Sequence, residues 1–292
     1  MAKTQRVRYT AEMKLHLHVG AHKTATTHFQ DYFSKLPDND DFYFLGPESA
    51  RKHFAMEGNS CSIQDSEAFY KNLAKQKYKS LLISDENICG HSYHIFRHHQ
   101  LYQTVGKRLE KIEFFKDFFD EIEIWLTLRS QETFLPSFYC EALRWGNFKP
   151  FSSAFNGGFY QSWLPTVDRV KNSFPDARIN ILTYENYENF FSPVIRKITG
   201  IDPSPETPVE TIVYASFNNF SVRASTLVNN LFPFPLRPVV VGSISKLSKP
   251  FNQARFQPFS DQQVCELQQL YASDLKALKG DPAVSIFDVS ST

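Results

Sequence analysis

Residues 15–33 place a strand, a tight turn and a helix in immediate succession, an order that few folds accommodate. Leu15, Leu17 and Val19 alternate with His16 and His18 up to Gly20, the period of a strand ending in a turn. From Thr26 the spacing becomes helical, with Phe29, Tyr32 and Phe33 on one side. A loop that feeds a helix N-terminus collects unpaired amide N–H groups and the positive end of the helix dipole, so Gly20–Thr27 is a natural anion site. It reads Gly20-Ala21-His22-Lys23-Thr24-Ala25-Thr26-Thr27, with one lysine, three threonine hydroxyls and small residues that let a phosphate approach the backbone.

The strand–helix alternation continues along the chain. Residues 79–84 (Lys-Ser-Leu-Leu-Ile-Ser) form a short apolar run of the buried parallel type. A helical stretch around 101–119 leads into a strand at 122–128, then a helix at 132–144. Residues 178–182 read as a fourth strand and 187–199 as a helix. This pattern predicts a three-layer α/β domain, a central parallel sheet flanked by helices. Proline-rich breaks at 202–208 and 231–238 are expected to mark where the sheet ends. A helical, loop-rich C-terminal third, about 203–292, then packs over it within one domain spanning 1–292. It closes on an amphipathic helix, 260–278, with Ser260 as N-cap.

Charge and cysteine usage narrow the partners. A formal charge of +1 provides no global field for nucleic acid or an anionic membrane, so any bound anion needs a local cluster of donors. Cys61, Cys89, Cys140 and Cys265 are widely spaced, without a CxxC pair, which argues against a zinc site and a disulfide framework. Lys3, Arg6 and Arg8 precede no apolar signal segment, and no run reaches the roughly 20 apolar residues of a membrane span. A cytoplasmic protein with reduced thiols is the expectation. The 28 phenylalanines are read as bulky core.

A nucleotide-kinase P-loop, G-x-x-x-x-G-K-[ST], fits poorly, because Ala25 stands at the second glycine and Thr26 at the lysine. Lys23-Thr24-Ala25-Thr26-Thr27 instead resembles the Lys-Ser/Thr-Gly-Thr-Thr loop of sulfotransferases that use 3'-phosphoadenylyl sulfate (PAPS). Alanine replaces the usual glycine, a mild change at negative φ and a costly one at positive φ. A second element is similar to the same family. The strand 122–128 runs into Arg129, and Ser137 follows eight residues later. The resemblance implies the P-loop-like sulfotransferase fold, in a bacterial or carbohydrate-type member. His22 and Lys23–Thr27 would then surround the 5'-phosphosulfate, and Arg129 and Ser137 the 3'-phosphate. Tyr184-Glu185 resembles a largely structural segment of that family, and Phe217–Arg223 and Lys246–Arg255, with Lys246, Lys249 and Arg255, stand where the family has further cofactor contacts.

What the resemblance implies chemically is in-line sulfuryl transfer from PAPS to a hydroxyl, less readily an amine, with PAP as product and no metal. Lys23 would stabilise the charge that builds in the transition state. Glu86, after the buried run 80–84, is the first choice of proton acceptor, with His22, His28, His91 and His94 as alternatives. His16 and His18 read as packed or surface side chains. The acceptor is a small molecule or glycan, a saccharide or glycolipid among them. Two rival readings stand beside this one: a non-catalytic nucleotide-binding module, and a kinase with an atypical phosphate loop.

Overall fold

The computed structural model describes residues 13–36, 40–54, 61–92, 94–144, 149–203, 217–233, 236–247 and 255–287. In chain order the elements are β1 (Lys14–Gly20), α1 (Thr26–Ser34), β2 (Phe42–Leu45), α2 (Pro47–His53), α3 (Ile63–Leu73) and β3 (Ser80–Ser84). Next come α4 (His94–Arg97), α5 (Val105–Leu109), α6 (Phe115–Phe118), β4 (Ile122–Leu128) and α7 (Gln131–Arg144). They are followed by α8 (Phe151–Ala154), α9 (Leu164–Ser173), β5 (Arg178–Thr183) and α10 (Tyr187–Thr199). The last are α11 (Asn219–Leu231), α12 (Arg237–Leu247), α13 (Asp261–Lys279) and β6 (Val284–Ile286).

Six strands form one sheet in the order β2-β3-β1-β4-β5-β6, and every neighbouring pair is parallel. The expected α/β architecture is therefore present. Alternation along the strands divides the core between the two faces. Leu15, Leu17, Val19, Leu81, Ile83, Ile124, Leu126, Ile179 and Ile181 join the larger cluster, beneath α7, α9 and α13. Leu82, Trp125 and Leu182 face the other way, against Phe29 and Phe33 of α1 and Phe190 and Val194 of α10.

His16 and His18 are packed on this second face, 1% and 2% exposed. His16 Nδ1 accepts from Trp125 Nε1 at 3.1 Å, and His18 Nδ1 pairs with Ser84 Oγ at 2.7 Å. Burial lowers their pKa values to about 3 and about 4, so both rings are neutral at pH 7.

Two expectations need correction. The stretch around 101–119 is two short helices joined through a 3-10 turn at Glu110–Ile112. Its buried residues Val105, Leu109, Ile112, Phe115 and Phe118 shift from a spacing of four to one of three, which suits the tighter winding. The sheet does not end before the C-terminal third, because β6 pairs with β5 beyond the last helix. The last helix runs Asp261–Lys279, and Ser260 is its N-cap, as expected, in a full capping box.

Candidate functional site

Strand order converts four separate sequence segments into one site. β3, β1, β4 and β5 lie side by side and parallel, so their carboxyl ends share one edge of the sheet. That edge carries Glu86 after β3, the loop Gly20–Thr27 after β1, Arg129 after β4 and Tyr184–Glu185 after β5. Ligands of open parallel sheets bind at such an edge, where loops diverge on either side of a central strand.

The β1 loop is held in an unusual backbone conformation. Gly20, Lys23 and Ala25 have φ values of 113°, 62° and 64°. Glycine suits its position twice over: beyond the φ, a Cβ there would lie 3.2 Å from Glu86 Cα. Ala25, the N-cap of α1, occupies the left-handed region with no side-chain cap. The alanine-for-glycine departure is thus of the costly kind, on the order of 1 kcal/mol. Two bonds shape the turn: Ala21 N–H donates to Thr127 O at 3.1 Å, and Thr24 Oγ1 donates to Ala21 O at 2.7 Å. The amides of Lys23, Thr24 and Ala25, and the first-turn amides of α1, meet no acceptor among the described residues. They are the donors an anion would use.

Arg129 is joined to this loop directly. Its Nη1 donates to Lys23 O at 2.7 Å and its Nε to Thr133 Oγ1 at 3.0 Å. The guanidinium lies 4.2 Å from the centre of the Tyr184 ring. Of its five N–H donors, these two bonds engage one each. The side chain is mostly buried, which holds its pKa below the ordinary arginine value, and neighbouring Arg255 pushes the same way. Its backbone is pinned by Trp163 Nε1, which donates to Arg129 O at 2.9 Å. Glu185 links two elements behind it, accepting from Ser130 N at 2.8 Å and from Tyr271 Oη at 3.0 Å. Ser137 is half-buried two turns into α7.

Lys23 Nζ is paired with Glu141 Oε2 at 3.2 Å, both side chains about a quarter exposed. Glu141 was not among the expected site residues. Its signal was its position four residues beyond Ser137, on the same side of α7.

Glu86 sits in a 3-10 turn at the end of β3. Its carboxylate accepts from Gln30 Nε2 at 3.0 Å and from Arg51 Nη2 at 3.3 Å. Burial works against ionisation, yet His22, Gln30 and Arg51 outweigh it and leave the pKa lowered. Beside it Arg51 grips Asp85 with two bonds of 2.9 and 2.6 Å. Gln30 and Arg51 carried no local sequence signal, because only the fold brings α1, α2 and the end of β3 together.

The histidines separate into distinct environments. The His22 ring is stacked on Tyr102, with Nδ1 3.0 Å from Tyr102 Oη and Nε2 3.2 Å from the Asn87 side-chain amide. Its own N–H also donates to Tyr102 Oη at 3.0 Å, and burial lowers its pKa. His28 turns away from the loop, with Nδ1 2.6 Å from Tyr187 Oη and its ring against Phe191. His91 is half-buried, whereas the side chain of His94 lies outside the described residues. So do Lys3, Arg6, Arg8, Lys249 and the side chain of Lys246. Arg255 is exposed, and its residue bridges to Asn218 at the start of α11.

No protein-family model matches the chain, and neither does any curated protein or solved structure.

Proposed function

We propose that the chain is a PAPS-dependent sulfotransferase with the P-loop-like sulfotransferase fold. The observation that carries the reading is the bond from Arg129 to Lys23 O, which unites two phosphate motifs 106 residues apart in the sequence. Three further features fit a doubly anionic nucleotide. Amide donors at the start of α1 suit a 5'-phosphosulfate. Arg129 keeps three of its five N–H donors beyond those bound to Lys23 and Thr133. Ser137 stands on the helix that begins two residues after Arg129.

In this reading PAPS supplies the sulfuryl group. His22 and Lys23–Thr27 border the 5' end, and Arg129 and Ser137 hold the 3'-phosphate. The Lys23 ammonium neutralises charge that builds between donor and acceptor. Glu141 holds that ammonium at the loop until an anion competes for it. Glu86 takes the acceptor proton, since its lowered pKa leaves it ionised at neutral pH. His22 is less suited, because both of its ring nitrogens are already engaged. The acceptor is a hydroxyl-bearing small molecule or glycan.

Thermal shift with PAP, ATP and AMP at equal concentration tests the assignment. Selective stabilisation by PAP is expected, and it weakens in Ser137→Ala. Equal or ATP-preferring stabilisation would refute it.

A further inference from the structure

The electrostatics of the chain are sharply uneven. Residues 211–260 contain Arg223, Arg237, Lys246, Lys249 and Arg255 and no aspartate or glutamate. Elsewhere 27 basic residues face 31 acidic ones. The near-neutral total therefore hides a fifty-residue basic segment against a mildly acidic remainder.

That segment also carries most of the large hydrophobic side chains exposed among the described residues. Among the described residues eight large hydrophobic side chains are exposed, and six of them lie on α11, on α12 or between them. Phe220, Leu227 and Leu231 are 57%, 60% and 68% exposed. Their spacing of seven and four residues places them in one stripe along α11. The opposite side of that helix is spent on the fold: Ser221, Val222 and Ser225 are buried, and α11 packs on α7. Phe232, Leu236 and Val239, which follow α11 or lie on α12, are exposed as well. Arg237 Nε donates to Phe232 O at 2.7 Å, which ties the two helices at this end. Arg223 is exposed on α11.

We propose that the α11–α12 pair docks on an anionic lipid bilayer, with its apolar stripe in the headgroup boundary and its cations at the phosphate level. Apolar side chains beside cations, with no acid between them, are the pattern of helices that lie in a membrane interface. No described helix is long and apolar enough to cross a membrane, so the pair would lie on the surface. A second copy of the chain is a poorer occupant, because it would set one basic segment against another. This inference uses none of His22–Thr27, Glu86, Arg129 and Ser137, so it can fail while the sulfotransferase reading stands.

Co-sedimentation of the full chain with phosphatidylcholine vesicles, with and without phosphatidylserine, tests it. Binding to the serine-lipid vesicles is expected to exceed binding to the neutral ones by about tenfold and to fall as salt is raised. Leu231→Ser combined with Phe232→Ser lowers binding by about tenfold, with no change in melting temperature, since both side chains are exposed. Arg223→Gln lowers it by about fivefold, on serine-lipid vesicles only. Protein that stays in the supernatant with serine-lipid vesicles overturns the proposal. So does a double variant that sediments like the parent, which would reduce the effect to charge alone. Light scattering without vesicles supplies the third check: conversion of a dimer to a monomer by the double substitution would assign the face to a second copy instead.

Discussion

Strand β1 and the loop that follows it are continuous in sequence and opposite in physical character. Within the strand every residue from Leu15 to Gly20 is buried, and the two imidazoles each have a partner. Within the loop, three of the next six positions counted from Gly20 have positive φ, and several amides meet no acceptor. Strain of this kind persists only where the surroundings impose it, and it concentrates where ligands are held. The strand is thus the rigid mount, and on the proposed function the loop is the part that meets the ligand.

Acid should break the strand before it harms the loop. Folded-state pKa values of about 3 and about 4 lie below the unfolded value of 6.5. The unfolded chain therefore binds more protons, and stability is lost as pH falls from 6.5 toward those values. Between pH 6.5 and 5 the loss is about 2 kcal/mol for each ring, measured by urea unfolding at the two pH values. If stability proves flat over that window, the imidazoles are not buried as described.

Lys23→Ala should do the reverse. On the proposed function, sulfuryl transfer falls by about 100-fold or more, whereas the urea midpoint barely moves, because a part-exposed ion pair adds little stability. A large loss of stability with transfer intact would make Lys23 a structural residue. Gly20→Ala lies at the junction of the two regions and should cost about 1–3 kcal/mol, from its φ and the contact with Glu86. The smallest effect is expected at Ala25→Gly. Relief of the left-handed strain, less the extra freedom of the unfolded chain, should stabilise the protein by about 0.5–1 kcal/mol.

The same contrast explains what could be read from the sequence. β1, β3, β4 and β5 stood out because both of their faces are buried and their apolar runs are nearly unbroken. β2 and β6 were missed: they are edge strands of four and three residues, too short for a period to emerge. The loop after β1 could be read as a candidate anion site because its amide donors are local in sequence. The φ of Ala25 was not, since alanine has no intrinsic preference for a left-handed turn and only the closure of the loop imposes it. Nor could spacing reveal that Glu141 reaches Lys23 across 118 residues, or that Arg51 closes over Asp85 and Glu86.

The claim that Arg129 and the β1 loop form one nucleotide site rests on recognition of a 3'-phosphate. Calorimetric titration of PAP against AMP, in the parent and in Ser137→Ala, tests that claim most directly. Tighter binding of PAP by about 100-fold is predicted, from charge-assisted bonds worth roughly 1.5–3 kcal/mol each, with part of that preference lost in Ser137→Ala. Equal affinity for the two nucleotides would contradict it.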